Sequence, residues 1–287
     1  MKKTTYFNPL AILFAFFLIV TAPSVSTAQA WTKAENSGFY KLDFSRISAT
    51  DVFNTKSELV PFRSITNNIT SFYGEYGVTN KFTLIGYIPF LVNNQLGELK
   101  STAGAVLSPS TAETNFGDVD LGFRYQLFNK NGISLSANLL LGLPTGNSTE
   151  KNGLLTGDGE FNQMFKLAIG TGKARWWTQG AVGFNNRTKS FSDEFRYDFE
   201  FGYKFFNDRL LTILKLNGIE SLDNGTAKEN IVGIFSNNVE FAGVGPEVLY
   251  YINDKKNIGV SLRIAGSLKG RNILAAPSIA VGVFAQF

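Results

Sequence analysis

Charged side chains that alternate with apolar ones are the residues of this sequence with the clearest chemical potential. In several segments a Lys, Arg, Asp or Glu recurs at every second position, opposite a run of Phe, Leu, Ile or Val. The set inferred to face inward holds eight basic and seven acidic residues: Lys41, Asp43, Glu75, Asp118, Asp120, Arg124, Lys166, Arg175, Arg196, Asp198, Glu200, Lys204, Lys215, Glu247 and Arg263.

Two interpretations of these charges stay open at the level of sequence. Buried charges need partners, so they could fill the interior with mutual ion pairs. Alternatively, they could line a pore or a small-solute site, and their near balance argues against strong selectivity for anions or cations. The candidates for the lumen-facing set are Asp118, Asp120, Arg124, Arg196, Asp198, Glu200, Lys204, Glu247 and Arg263.

Composition excludes catalytic chemistry that depends on His or Cys. The chain has no His and no Cys, so Ser-His-Asp and Cys-His arrangements, and zinc sites with His or Cys ligands, cannot be built. Asp158 and Glu160 are carboxylates of the kind that Ca²⁺ takes, but two acids in a Gly-rich loop are weak evidence. We therefore predict no catalytic residues, no metal, no cofactor and no enzymatic activity.

The elements that position these charges are long alternating strands. In the stretch 116–146 one face holds Val119, Leu121, Phe123, Tyr125 and Leu127, and the other holds Asp118, Asp120, Gly122, Arg124 and Gln126. After a turn at 129–132 the alternation resumes with Ser134, Ser136 and Asn138 on the polar face. Successive side chains of a strand point to opposite faces, so this is a hairpin with one polar and one apolar side.

Length and alternation together predict an outer-membrane β-barrel. The strands run about ten residues, which is enough to cross a bilayer at a tilt. In 195–205, six aromatic residues share one face, which lipid can cover but water cannot. The whole chain gives about twelve strands, the first at 33–48, with short turns after even-numbered strands and mostly longer loops after odd-numbered ones. We predict an all-β, antiparallel, up-and-down transmembrane barrel with both termini in the periplasm.

The two ends of the chain carry export signals. Lys2 and Lys3 precede an apolar run at 10–20, and Ala28-Gln29-Ala30 is a small-x-small cleavage site. We predict a signal peptide at 1–30, cleaved after Ala30 or alternatively after Ala28, and a barrel at 31–287. The alternating last strand ends in Phe287, which resembles the signal read by the barrel-assembly machinery. The predicted location is therefore the outer membrane, and the predicted partners are its lipid and the assembly machinery.

Charge excludes a further class of partner. Without Lys2 and Lys3, 25 basic residues are opposed by 23 acidic ones, and this charge is too balanced for a nucleic-acid surface.

Trp176 and Trp177 are expected in an interfacial aromatic girdle, with an inward binding platform at Trp177 as the alternative.

Three motifs carry a resemblance to a known family: residues 76–86, continuing to Pro89; residues 117–125; and residues 142–146, with Gly157 and Asp158 beyond. Together they resemble the transporter family named after the MetA pathway of phenol degradation, whose members are exported barrels of Gram-negative bacteria. The resemblance implies uptake of small hydrophobic or aromatic solutes. The alternative is a structural or surface-interaction barrel with a filled lumen, acting through the loops at 92–115 and 221–234.

Overall fold

The computed structural model describes residues 29–149, 154–229 and 236–287. The predicted signal peptide lies outside these ranges except for its last two residues. Twelve long strands form the wall: β1 Gly38–Phe53, β2 Leu59–Thr79, β3 Phe82–Leu96, β4 Val119–Lys130, β5 Ile133–Leu143, β6 Asn162–Lys173, β7 Trp176–Arg187, β8 Glu194–Phe205, β9 Leu210–Ser221, β10 Glu240–Tyr251, β11 Ile258–Arg271 and β12 Ser278–Gln286.

The sheet closes on itself. Each wall strand pairs antiparallel with its neighbour in sequence, and β1 pairs with both β2 and β12. On β1, Asp43 lies opposite Ser71 of β2 and Gly282 of β12. Closure leaves no free sheet edge, so the backbone groups of the wall are satisfied within the barrel. The predicted all-β barrel of twelve strands is confirmed.

The two faces of the wall follow the alternation in the sequence. On β8, Phe195, Phe199 and Phe201 are exposed on the outer surface, whereas Glu194 and Glu200, which have the opposite parity, are buried inside. On β5, Ser134, Ser136 and Asn138 are at most 1% exposed. Two residues of the hairpin of β4 and β5 depart from this parity. Val119 belongs to the outward set and is buried, and Phe128, which follows a register shift, has the inward parity and is exposed. An apolar exterior around a polar interior is the pattern of a barrel embedded in lipid.

The connections divide into two ends. Residues 80–81, 131–132 and 174–175 are two-residue turns at the periplasmic end, whereas the longest external connections cover 97–118 and 222–239. The first of these carries a flap of two short strands, Leu99–Lys100 and Val106–Ser108, and a third strand, Thr111–Asn115, that pairs with the end of β3. A two-residue strand, Ile273–Leu274, pairs with the external end of β1.

Two predicted boundaries were wrong. The segment 49–63, expected to be a polar connection, is mostly strand, because β1 and β2 extend outward as a hairpin and leave only 54–58 as its tip. The first strand begins at Gly38 rather than at Lys33, because residues 29–33 run inside the barrel. No helix among the described residues is long and apolar enough to cross a membrane.

Candidate lumenal site

An apolar cluster occupies the external half of the lumen. Side chains from β1, β2 and β3 contact Leu154, which lies on the loop between β5 and β6. The Leu154 side chain is 1% exposed. The cluster comprises Ile47, Ala49, Val52, Ile65, Leu96, Leu154, Leu274 and Ala276. The side-chain amide of Asn94 donates a hydrogen bond to the Leu155 carbonyl and holds the loop in the mouth.

A belt of ion pairs crosses the middle of the lumen. The Lys41 ammonium lies 2.9 Å from Glu247 Oε1 and 3.1 Å from Asp43 Oδ1. Glu247 Oε2 lies 2.6 Å from the Lys215 ammonium, and Arg263 Nη2 lies 3.7 Å from Asp43. The network thus joins side chains of β9, β10, β11 and β1, of which β11 and β1 are separated by β12.

The opposite wall carries two further pairs of the belt. Arg124 is 1% exposed, and its guanidinium contacts Glu75 Oε1 at 3.0 Å and Asn138 Oδ1 at 2.8 Å. The Lys166 ammonium lies 2.6 Å from Asp198 Oδ2 on β8. Since buried charges are costly without partners, these pairings explain why so many ionisable groups can face inward.

A cavity of about 170 Å³ opens beside the belt on its periplasmic side. Its apolar wall is formed by Phe39, Tyr73, Trp177, Ile213 and Leu249. Below them Phe284 stacks on Phe39, with ring centroids 5.6 Å apart, and meets Tyr251 edge-on at 5.2 Å. The polar wall is the belt itself, so the cavity has one aromatic side and one ionic side.

Trp177 connects the two walls. It lies inside the barrel rather than in the lipid girdle, and its indole Nε1 donates a hydrogen bond of 2.7 Å to Glu200 Oε1. The ring packs over Gly202 of β8, where a Cβ atom would lie 2.0 Å from it. The absence of a side chain at Gly202 therefore makes the inward position of Trp177 possible, and the inward alternative is the arrangement found.

The predicted lumen residues fall into three places. Arg124, Asp198, Glu200, Glu247 and Arg263 belong to the belt or border the cavity. Near the external end, Arg196 binds Glu194 at 2.6 Å, and Asp120 lies half-buried beside Gly142. Lys204 lies one residue from the periplasmic end of β8.

Asp118 has a different position from the rest of the set. It lies in the external loop just before β4, where its carboxylate accepts the backbone N–H groups of Gly146 and Asp158, each at 2.9 Å. Burial and the neighbouring Asp158 carboxylate raise the pKa of Asp118 to about 7. The motifs around Gly117, Gly146 and Asp158 therefore form one loop junction at the external mouth, which is a structural role.

The two acids considered for Ca²⁺ are held by an arginine. Arg187 Nη2 lies 2.9 Å from Asp158, and its Nε lies 2.6 Å from Glu160. A third contact of 2.9 Å joins Arg187 to Glu194. This guanidinium supplies the positive charge at the loop junction.

Comparison with known proteins identifies the family. A family model described as "Putative MetA-pathway of phenol degradation" matches residues 53–280, which is well over half of the chain. The chain belongs to this family. The family resemblance drawn from the motifs at 76–89, 117–125 and 142–158 is confirmed, and the match extends well beyond them on both sides.

Solved structures support the same fold for this member of the family. An outer-membrane channel from Pseudomonas putida F1 superimposes with a TM-score of 0.68 at 11% sequence identity, over 92% of this chain and 100% of that one. The NanC porin gives a TM-score of 0.52 at 8% identity, over 86% of this chain and 100% of its own. No curated protein matches the sequence.

The two superpositions confirm the predicted fold, which is that of outer-membrane barrels. Sequence reasoning missed Phe39, Tyr73, Ile213 and Leu249 as cavity residues. These residues alternate in phase with the inward charges of their strands. An apolar residue in that phase is the pattern that could have predicted them.

Proposed function

We propose that this protein is an outer-membrane channel for small, uncharged solutes that carry one aromatic or apolar ring. The observation that carries the proposal is the lumenal cavity with an aromatic wall and an ionic wall. Its volume is close to that of the engineered cavity of about 150 Å³ that binds benzene. A single six-membered ring therefore matches the space available.

The two walls favour a solute with an apolar body and a polar edge. Phe39, Trp177 and Leu249 offer a surface on which a ring is removed from water. The ammonium groups of Lys41 and Lys215 border the same space and could donate to a hydroxyl group of the solute. The charges of the belt are already paired, so a neutral solute gains more here than an ion.

The external apolar cluster fits the same class of solute. A constriction lined by apolar side chains excludes water and ions more than it excludes an apolar molecule. Leu154 is supplied by the connection between β5 and β6 rather than by the wall. We propose that the solute enters past Leu154 and pauses in the cavity before release to the periplasm.

The test uses Trp177 as a reporter with phenol as the probe. In the Trp31→Phe/Trp176→Phe variant, Trp177 is the remaining tryptophan of the three in the chain. We expect saturable quenching of its fluorescence by phenol in the barrel reconstituted into vesicles. Leu249→Phe fills the cavity and should abolish saturation, whereas Val248→Phe, the next residue on the lipid side, should not.

Outcomes that contradict the proposal are clear. Quenching that rises linearly with phenol, or equal behaviour of the Leu249 and Val248 variants, would mean that no site exists in the cavity. Single-channel recording is a separate test of function. A steady conductance that phenol blocks supports a channel with an internal site.

A structural barrel with a filled lumen is the second candidate. The ion-pair belt and the apolar cluster both occupy the lumen, and the hairpin of β1 and β2 and the flap at 97–118 extend the external surface. A correctly folded barrel that is silent in recordings and admits no solute into vesicles would favour this function. Deletion of the flap would then be tested for loss of surface binding.

We also propose that the barrel-assembly machinery reads Phe287. This residue is 65% exposed on the lipid side, and its ring stacks on Tyr40 at 5.6 Å. Phe287→Ala should lower the fraction of chain assembled in the outer membrane, and Phe206→Ala, at another exposed periplasmic position, is the matched control. Equal assembly of both variants would refute this role.

A further inference from the structure

The outward face of β1, β2 and β3 changes from apolar to polar within one step along the strands. Phe44 of β1 and Leu91 of β3 are exposed apolar side chains in the same outward row of the sheet. The next outward row towards the external side holds Arg46, Asn68 and Asn93. Since a charge on the outside of a barrel is tolerated only near the membrane interfaces, the lipid-covered part of these strands ends at this level.

Two successive outward rows make up a polar surface at this level. The register of β1, β2, β3 and the short strand Thr111–Asn115 defines both rows. The surface, here called the polar strip, comprises Arg46, Asn68, Asn93 and Thr114 of the first row and Ser48, Thr66 and Gln95 of the second.

Hydrogen bonds between side chains link the polar strip across the strands. Asn68 Nδ2 donates to Asn93 Oδ1 at 3.2 Å, and Asn93 Nδ2 donates to Thr114 Oγ1 at 2.7 Å. In the second row the hydroxyls of Ser48 and Thr66 lie 3.0 Å apart. Amides and hydroxyls can each donate and accept, so this fixed array matches the hydroxyl groups of a sugar.

Arg46 is the charged residue of the polar strip. Its side chain is exposed and forms no hydrogen bond or ion pair with any residue in the ranges that the structure describes. Its outward neighbours, Phe44, Ser48, Asn68 and Ile279, are all uncharged. A guanidinium in this setting is suited to a phosphate group, which it can bind through two parallel hydrogen bonds.

A cavity of about 330 Å³ opens on the outer surface at the external side of the polar strip. It lies between the ends of β2 and β3 and the segment that leads back from the flap, and it is lined by Ser64, Thr66, Gln95, Leu96, Gly97, Ser110, Thr111 and Ala112. The Thr111 hydroxyl is buried in its wall without a hydrogen-bond partner in the described part of the chain. The volume lies within the range of small-molecule sites, and most of the side chains that line it are polar.

We propose that the polar strip and this cavity bind the phosphorylated sugar headgroup of the outer-leaflet glycolipid, lipid A. Arg46 contacts a phosphate, and the cavity holds a glucosamine ring. The acyl chains then continue along the apolar face next to the strip, where Phe44 and Leu91 are exposed. This continuity with the lipid-facing wall favours a membrane lipid over a free sugar, and the unpaired cation favours an anionic headgroup.

The proposal depends on the predicted location in the outer membrane and not on the proposed channel function. The residues that carry it lie on the outer surface of the barrel, whereas the solute cavity lies in the lumen. Either one can therefore fail while the other stands.

The phosphate contact is tested by titration of the purified, detergent-solubilised barrel with lipid A, followed by native mass spectrometry. Arg46→Gln should weaken binding about tenfold, which is the effect of losing one hydrogen bond to a charged group. Lys56→Gln is the matched control, because Lys56 is an exposed cation at the tip of the same hairpin and lies outside the polar strip, and it should bind like the wild type. Lipid A without its phosphates should bind the wild type as weakly as lipid A binds Arg46→Gln.

The cavity is tested by filling it. Ala112→Phe places a ring in the cavity and should also weaken lipid A binding. Ala103→Phe places the same ring at the exposed tip of the flap, outside the cavity, and should leave binding unchanged. Folding of each variant is verified by its heat-dependent electrophoretic mobility.

Several outcomes would overturn the proposal. Equal affinity of the Arg46 and Lys56 variants, or equal binding of lipid A with and without phosphates, would exclude the phosphate contact. Equal affinity of the two alanine variants would exclude the cavity as the sugar site. Displacement of lipid A by inorganic phosphate alone would indicate a phosphate site rather than a lipid site, and a dimer mass that Arg46→Gln abolishes would assign the polar strip to a second copy of the chain.

Discussion

Replacement of Arg124 by methionine is the most informative single perturbation of the ion-pair belt. The guanidinium donates to Glu75, Asn138 and the Trp31 carbonyl at 3.0, 2.8 and 2.7 Å. Arg124→Met keeps an unbranched side chain of similar length but leaves Glu75, which is 3% exposed, with less positive charge. The variant therefore combines an undercompensated buried carboxylate with the loss of two hydrogen bonds, to Asn138 and to the Trp31 carbonyl.

The magnitude follows from what remains around Glu75. Breaking a buried pair by removing one partner costs about 3–5 kcal/mol. Here Glu75 keeps the Lys33 ammonium at 3.3 Å and the Tyr73 hydroxyl at 2.6 Å. These two partners place the expected loss near the lower end, about 3 kcal/mol in the free energy of unfolding.

The assay is equilibrium unfolding by urea of the barrel in phospholipid vesicles, followed by tryptophan fluorescence. Arg196→Met is the matched control, because Arg196 is 28% exposed and its partner Glu194 keeps Arg187 at 2.9 Å. We expect the control to cost less than about 1 kcal/mol. The double variant Arg124→Met/Glu75→Leu should recover much of the loss, because it removes the carboxylate as well.

Two results would refute this reasoning. Equal destabilisation by the two arginine variants would mean that burial does not determine how much an ion pair contributes to the free energy of unfolding. A double variant whose loss is the sum of the single losses would mean that Arg124 and Glu75 do not stabilise each other.

Three further predictions test the wall, the cavity and the external junction. Phe199→Arg should lower the free energy of unfolding by about 2–4 kcal/mol, because it places a charge on the lipid face, whereas a cost equal to that of Phe199→Leu would contradict that orientation. Gly202→Ala should displace the Trp177 ring and weaken phenol binding. Gly180→Ala is the control, because its Cβ atom would lie 3.7 Å from the nearest neighbouring atom, and it should leave binding unchanged. Equal effects of the two variants would contradict the packing of Trp177 on Gly202. Burial and the Asp158 carboxylate raise the pKa of Asp118 to about 7, well above the usual value of about 3.9. The folded protein therefore binds more protons than the unfolded one between these two values, and the stability of the junction should fall as pH rises from about 4 to about 7. Hydrogen exchange of the loop amides should show this trend in the wild type and not in Asp118→Asn, and a trend of opposite sign would refute it.

Much of the wall could be predicted because its signal is local. The alternation on β8 fixes which residues face lipid, since Phe199 and Phe201 can avoid water only on the outside. The chain order of short turns and longer loops then gives the number of strands and the side on which each connection lies.

The errors arose where local patterns are ambiguous. Residues 33–37 continue the polarity of the strand that follows, so the start of the first strand was placed too early. The burial of the preceding Gln29 and Ala30 depends on β4 to β7, which lie about a hundred residues away or more along the chain. Asp118 has strand parity with Asp120 but lies at the last position before β4, where loop amides bind it.

The sequence by itself determined a twelve-stranded barrel, its lipid face, its inward charges and its lack of His- or Cys-based chemistry, because strand periodicity and composition need no knowledge of which residues meet. Only the tertiary structure decided which charges pair, that Trp177 faces a cavity, and that residues 29–33 lie in the lumen. These features depend on the register at which distant strands meet and on how far the barrel interior closes. The register places Lys41 beside Glu247 and places Gly202, which has no side chain, against the Trp177 ring. No single segment of the chain contains either contact.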